Sequence, residues 1–279
     1  KVAQAEEADL EVDDDYLPIE KLQTVGINTG DIKKAKEAGY HTIMSFVLHP
    51  SKMLLNIKGL SEAKVTKMVE ACKQMTPGSG WRCASEVQAE RARSILKITT
   101  GSRALDELLG GGLETKSITE IYGEFRCGKT QVRTGNLVQQ NVAYIDTEGT
   151  FRPDRIIPIA QRFNLDADSV LGNIVHARAF NFEHQMELLI SVAALMAEDP
   201  FKLLVVDSLT SNFRSDFCGR GELAERQQKL GQMLNRLRKI SEEFNVAVVV
   251  TNQVVSDPGG GVTFVSDPKK PVGGHVQRL

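Results

Sequence analysis

Ser117-Ile118-Thr119-Glu120-Ile121-Tyr122-Gly123-Glu124-Phe125-Arg126-Cys127-Gly128-Lys129-Thr130 reads as a strand running into an octapeptide of the form G-x-x-x-x-G-K-[ST]. The spacing has a chemical reason. Glycines let backbone N–H groups turn inward around phosphates, Lys129 reaches the β and γ oxygens, and the Thr130 hydroxyl ligates Mg²⁺. The helix expected to begin at the loop adds the positive end of its dipole. A complete match between a strand-like and a helix-like run marks a nucleoside-triphosphate site.

Beyond Ala92 the pattern alternates strand and helix, the signature of an α/β core with a mainly parallel sheet and helices on both faces. Expected strands are Ile95–Ile98, Ser117–Tyr122, Val142–Asp146, Asn173–Ala177, Leu203–Asp207 and Val246–Thr251, and the longest helix is expected from about Glu222 to Phe244. Leu203-Leu204-Val205-Val206-Asp207 is an apolar run ending in an acid, which places a carboxylate beside the phosphate loop to hold Mg²⁺. Tyr144-Ile145-Asp146-Thr147-Glu148 brings a second acidic pair to a strand end. Glu148 is the expected general base for the water attacking the γ-phosphate, and Asp146 is left as a turn cap. A third strand is expected to end in Thr251-Asn252-Gln253, where the Gln253 amide can sense the γ-phosphate because it both donates and accepts.

Upstream, residues 17–75 alternate short amphipathic patterns with glycine turns, as in a small all-α domain. Ile57-Lys58-Gly59-Leu60-Ser61-Glu62 reads as a helix end, a glycine turn and a Ser-capped helix. Two readings stay open there: a helix-hairpin-helix unit offering Lys58, Lys64 and Lys67 to a DNA phosphate, or an ordinary helical corner with solvated lysines. Thr76-Pro77-Gly78-Ser79-Gly80 is the expected boundary, so residues 76–94 form a linker and residues 95–279 the core. Trp81, alone of its type in the chain, stands just past that boundary, and from the residues alone packing onto its own domain is the commoner use.

The 279 residues are 41% hydrophobic and 25% charged, as in globular proteins, and the net charge is −2. Glu6, Glu7, Asp9, Glu11, Asp13, Asp14 and Asp15 give residues 1–16 the character of a disordered acidic tail and leave the rest net positive, which permits a nucleic-acid surface. Cys72, Cys83, Cys127 and Cys218 lack metal-ligand spacing, so a reducing compartment and no zinc are expected. No apolar stretch is long enough to span a bilayer and no leader peptide is recognised, so the expected location is cytosolic or nuclear.

Taken together, GEFRCGKTQ (Gly123–Gln131), DTEGTFRP (Asp146–Pro153), DFCGRGEL (Asp216–Leu223), TNQ (Thr251–Gln253) and DPKKPVGG (Asp267–Gly274) resemble the RecA-type strand-exchange recombinases of the eukaryotic and archaeal branch. The blocks stand in that family's order and cover nearly the whole chain. Ala224–Leu230, Asp257-Pro258-Gly259 and Gly273-Gly274-His275 lean toward its meiotic branch. The resemblance implies a RecA-like ATPase core behind a helix-hairpin-helix-type domain, with ATP and Mg²⁺ as cofactors. It further implies single- and double-stranded DNA, further copies of the chain in a ring or helical filament, and recombination mediator proteins as partners, and a nuclear location. By position it makes Glu148 the catalytic glutamate, Gln253 the γ-phosphate sensor and Arg155 the residue over the adenine. Gly123, Glu124, Phe125, Arg126, Cys127, Gly128, Lys129, Thr130 and Gln131 become the phosphate cradle, Thr130 and Asp207 the Mg²⁺ ligands, and Asp267 and Pro268 part of a cap laid over ATP by a neighbouring copy. The segment around Asp216–Arg226 matches the first DNA-binding loop, which makes Arg214, Arg220 and Arg226 candidate phosphate contacts, and Ser256–Asp267 matches the second. Trp81 and Ala84 fall on a Phe-x-x-Ala polymerisation motif, which turns Trp81 from an internal packing residue into an anchor for the next protomer.

Two departures accompany the resemblance. The segment between Thr130 and Val142 is shorter than the family's, and the family continues past the position of Leu279 with further strands. Either segments are absent from the sequence given or the chain is a shortened variant. The second case is the alternative reading: a non-catalytic paralogue or truncated isoform that binds ATP and a recombinase.

Overall fold

The computed structural model describes residues 16–76, 80–124, 129, 141–217, 219, 221–255 and 270–271. Its first part is helical, with a 3-10 turn over Ile19–Val25 followed by α1 (Thr29–Glu37), α2 (Ile43–Leu48), α3 (Ser51–Leu54) and α4 (Glu62–Met75). Asn28 and Thr42 cap α1 and α2 by accepting the N–H groups of Gly30 and Ser45 at 2.8 and 3.0 Å. Leu22, Ile32, Phe46, Leu54, Val65 and Met68 fill a core of their own. Gly59 takes the left-handed conformation that the turn before α4 requires, at φ 81°. The lysines around this turn are partly committed. Lys64 pairs with the buried Asp31 at 2.9 Å, Lys67 donates to the Gly26 carbonyl, and Ser61 makes no side-chain cap.

α5 (Ala84–Ser94) follows, with no buried residue, and Trp81 ahead of it is fully exposed. Trp81 therefore does not pack onto its own chain, contrary to the expectation from the residues alone. Lys97–Ile98 forms β1, which pairs antiparallel with β2 (Leu113–Glu114) around α6 (Arg103–Leu108). The strand expected at Ile95–Ile98 thus belongs to a small separate ladder and not to the central sheet.

The remaining elements are β3 (Ser117–Gly123), β4 (Asn141–Asp146), a 3-10 turn over Pro153–Arg155, α7 (Ile156–Arg162), α8 (Ala167–Gly172), β5 (Ile174–Arg178), α9 (Phe182–Glu198), β6 (Phe201–Asp207), α10 (Ser211–Asp216), α11 (Leu223–Glu243), β7 (Ala247–Val255) and β8 (Lys270–Pro271). Five of the strands lie parallel in the order β3-β7-β6-β4-β5, and β8 pairs antiparallel with the end of β7. β6 is buried at every position, Lys202 and Asp207 included, and its apolar run Leu203 to Val206 suits a parallel sheet with both faces covered. Alternate residues divide between the faces: Leu204, Val206, Val248 and Val250 meet α9 and α11, whereas Leu203, Val205 and Val249 join Ile98, Leu113 and Tyr144 on the other side. β7 runs to Val255, past the expected end at Thr251, because β3 pairs it through Gln253 and β8 pairs Val254 and Val255.

The helical part rests on the end of α11. Thr42 donates to the buried Glu243 carboxylate at 2.6 Å, Tyr16 donates to the Ala197 carbonyl at 2.7 Å, and the Tyr16 ring meets Phe244 edge-on. Among the described residues no helix is long and apolar enough to cross a membrane.

Candidate active site

Parallel pairing brings the C-terminal ends of β3, β7, β6 and β4 to one edge, the usual place for a ligand in an α/β sheet. In register, Gly123 stands opposite Gln253, and Asp207 opposite Asp146. Lys129 returns to this edge, its ammonium donating to the carbonyls of Gly123 and Glu124 at 3.0 and 2.7 Å. Phe125, Arg126, Cys127, Gly128, Thr130 and Gln131 of the expected cradle lie outside the described residues, as do Arg220, Asp267, Pro268 and the second expected DNA loop.

Glu148 is held from three directions. Asp146, two residues earlier and buried, accepts the N–H groups of Glu148, Gly149 and Thr150 on Oδ1 at 3.1, 2.7 and 3.2 Å, and that of Phe151 on Oδ2 at 3.0 Å. Burial works to raise the Asp146 carboxyl, but the N–H bonds of Phe151, Thr150 and Gly149, with His176 beyond them, outweigh it and hold the group below its ordinary value. The turn needs Gly149, which sits at φ 70° where an added Cβ would lie 2.8 Å from the Arg178 guanidinium. Thr147 fastens the turn to the next strand: its hydroxyl donates to the Ser208 carbonyl at 2.9 Å and accepts the Ser208 N–H at 2.8 Å. Asp146 is thus the turn cap left open by the sequence.

Glu148 Oε1 accepts both the Gln253 side-chain amide at 3.1 Å and the Ser208 hydroxyl at 3.2 Å. The Gln253 carbonyl in turn accepts an N–H from Arg214 at 2.9 Å. The expected base and the expected sensor are therefore in contact. One residue assigned to the DNA side reaches into the same chain of hydrogen bonds. Neighbouring residues of the tripeptide are equally engaged: Thr251 donates to Asp207, and Asn252 accepts from Thr210 at 2.7 Å while donating to Glu120 at 2.9 Å.

Asp207 is buried and also accepts the Tyr144 hydroxyl at 2.7 Å. Among the described residues no group of three or more His, Cys, Asp or Glu could hold a metal. A lone carboxylate beside a phosphate loop suits Mg²⁺, which keeps most of its waters and binds through few protein oxygens and the phosphates themselves. Arg155 ends its 3-10 turn and caps α7 with its side chain exposed, and Arg226 is half-buried in the first turns of α11. Tyr144, Thr147, Ser208 and Thr251 were missed in the sequence. Adjacency to Glu148 and Asp207 was the signal offered by Tyr144, Thr147 and Ser208, and membership of the Thr251-Asn252-Gln253 block that offered by Thr251.

On the α9 side of β4 and β5 lies a shallow apolar cleft walled by Ala143, Val175, Ala177, Leu188, Val192 and Leu195. Val175 and Leu195 are 41% and 38% exposed. β5 is the sheet's edge strand among those described.

A family model described as Rad51 matches residues 91–278. The meiotic recombination protein DMC1 homolog of Lilium longiflorum is 57% identical over 282 residues, covering 97% of this chain and 80% of that protein. Its counterpart in Arabidopsis thaliana is 55% identical over 287 residues, covering 99% of this chain and 82% of that protein. The DMC1/LIM15 homolog of Homo sapiens is 52% identical over 274 residues, with coverages of 94% and 80%. The parallel sheet flanked by helices agrees with that match, and the chain belongs to the Rad51 family.

Proposed function

We propose that this chain is an ATP-dependent DNA recombinase that assembles on single-stranded DNA and pairs and exchanges it with a homologous duplex in meiosis. The observation that carries the reading is the contact of Glu148 with Gln253, one strand away from the Lys129 loop. It supports an active ATPase over a non-catalytic ATP-binding paralogue, because a carboxylate suited to act as base and an amide suited to sense phosphate meet at the sheet edge that carries Lys129.

Lys129 neutralises the β and γ phosphates, and the loop's N–H groups orient them. Thr130 and Asp207 are the residues to hold Mg²⁺, which when bound offsets the charge gathering on the phosphates. Glu148 uses one oxygen to fix Gln253 and Ser208 and turns its carboxylate to the attacking water, taking its proton as the bond to phosphorus forms. Arg155 lies along the adenine, and Asp267 and Pro268 of a neighbouring copy cap the nucleotide. Arg214, Arg220 and Arg226 meet the phosphate backbone, so homology is read by base pairing and not by side chains.

Assembly uses Trp81, with Ala84 following it. The exposed indole of one copy seats in the apolar cleft between β5 and α9 of the next, with its ring against the small side chain of Ala177. The copies build a ring or helical filament that works on nuclear chromosomal DNA with mediator proteins.

The test compares Lys129→Ala with Glu148→Gln for nucleotide binding, DNA-stimulated hydrolysis and oligonucleotide strand exchange. Lys129→Ala is expected to lose nucleotide binding. Glu148→Gln is expected to bind ATP normally and hydrolyse it about a hundredfold or more slowly. Equal loss of ATP affinity in both variants refutes these roles.

A further inference from the structure

We propose that Arg214 is a positioning residue of the ATPase centre, which fixes the Gln253 amide against Glu148 and gives that arrangement up when a DNA phosphate takes its guanidinium. The inference rests on the recombinase reading above and adds a route by which the DNA side reaches the reacting water.

The chemistry of the groups sets the orientation. A guanidinium can only donate and a carboxylate can only accept. Gln253 lies between one of each, with its carbonyl 2.9 Å from Arg214 Nη1 and its amide nitrogen 3.1 Å from Glu148 Oε1. Arg214 and Glu148 therefore select the same amide orientation from opposite ends, and Arg214 supplies the hold on the carbonyl side. The terminal torsion of a Gln side chain is broad and two-fold, so little else holds it. A flipped amide would set its carbonyl against the carboxylate, a repulsive pairing that drives the side chain away. Ser208 is the second donor to the same Glu148 oxygen, which leaves the other oxygen as the face for water.

Arg214 lies on α10, which follows Asp207 by a short turn and leads through Gly219 and Glu222 into α11. Its side chain is exposed, so a polyanion can reach it. A phosphodiester takes a guanidinium through two parallel N–H bonds, a geometry that competes directly with a single neutral carbonyl. Capture of Arg214 by DNA then re-aims Gln253, and with it the donor set on Glu148. Reciprocity requires that whatever pulls Gln253 toward a nucleotide also alters DNA affinity.

The experiment uses the whole chain and a labelled single-stranded oligonucleotide. ATP hydrolysis is measured without DNA and at DNA concentrations shown by anisotropy to saturate each protein, for the parent, Arg214→Ala, Arg226→Ala, Gln253→Ala and the Arg214→Ala/Gln253→Ala pair. For Arg214→Ala, the ratio of DNA-stimulated to unstimulated rate is expected to fall toward one even at saturation, and the pair is expected to lose no more than Gln253→Ala alone. Arg226→Ala is expected to need more DNA for saturation and then to show the parent's ratio. A parental ratio in saturated Arg214→Ala, or additive losses in the pair, overturns the inference and leaves Arg214 as a plain phosphate contact. A parent that DNA does not stimulate overturns this inference and the recombinase reading together.

Discussion

Substituting Glu243 by Gln is expected to make the protein more stable at neutral pH and to flatten part of its pH dependence. The carboxylate lies where the N-terminal helices rest on the end of α11, accepting the Thr42 hydroxyl. Burial pushes it up to about 7 from an ordinary 4.5, although the Thr42 bond and the positive charges of Arg236 and Lys239 pull the other way. The folded state therefore binds a proton more readily than the unfolded chain. Stability from this group is complete below 4.5, falls as pH rises from there, and is gone once pH passes about 7. At about 1.4 kcal/mol per pH unit that interval amounts to about 3 kcal/mol. Glutamine keeps an oxygen for Thr42 and carries no charge, so Glu243→Gln recovers up to that amount at pH 8 and almost none at pH 4.5. Urea unfolding of parent and variant from pH 4.5 to 8 measures the difference directly. Tyr40, His41 and His49 face the same region. Burial lowers both histidines, giving a contribution that is lost as pH falls, opposite to that of Glu243, but both are present in the two proteins and cancel in the difference. Parallel stability profiles for parent and variant would refute the reasoning, since they would mean that ionisation of Glu243 costs nothing at this contact.

Two further outcomes are expected. Trp81→Ala should weaken self-association by about 2 kcal/mol or more while leaving the thermal melt unchanged, and Ala177→Leu, which fills the cleft from the partly exposed strand β5, should weaken it as well; normal light-scattering mass against concentration for both variants would exclude this contact. Arg226→Ala should lower the salt slope of single-stranded DNA binding by about one without changing sequence preference, and an unchanged slope removes Arg226 from the DNA surface.

The legible parts of the fold were those in which a residue's environment is set by its neighbours in sequence. β6 could be read because four apolar residues, Leu203 to Val206, run uninterrupted into Asp207, and α11 because its buried side recurs at Leu230, Met233, Leu234, Leu237 and Ile240. β2 is two residues long and exists only because β1 pairs with it, so no periodicity announces it. The same limit explains the end of β7, whose last residues owe their extension to β3 and β8. In the site, Lys129, Glu148 and Asp207 stood out because motif spacing or a strand end marks each of them. Gln253 stood out through the family's TNQ block. The ties that hold them join residues 105, 60 and 39 positions apart, and such pairings belong to topology rather than to local pattern. Trp81 read by residue type alone points to internal packing, since a lone aromatic more often packs that way; the match to the polymerisation motif reverses that reading, and the side chain is exposed in the structure.

α11 has one more consequence. Its 21 residues make a rod about 30 Å long. One end receives Thr42 through Glu243, and the other emerges beside Gly219 and Glu222, next to Arg226. Between them the rod is wedged against the sheet by side chains such as Met233 and Leu237, which are wholly buried, so it cannot slide or bend cheaply. The seat of the N-terminal helices and the arginine-bearing end are in this way parts of one stiff beam. The spacing and orientation between the two are therefore set by one packed helix and not by the loops on either side of it.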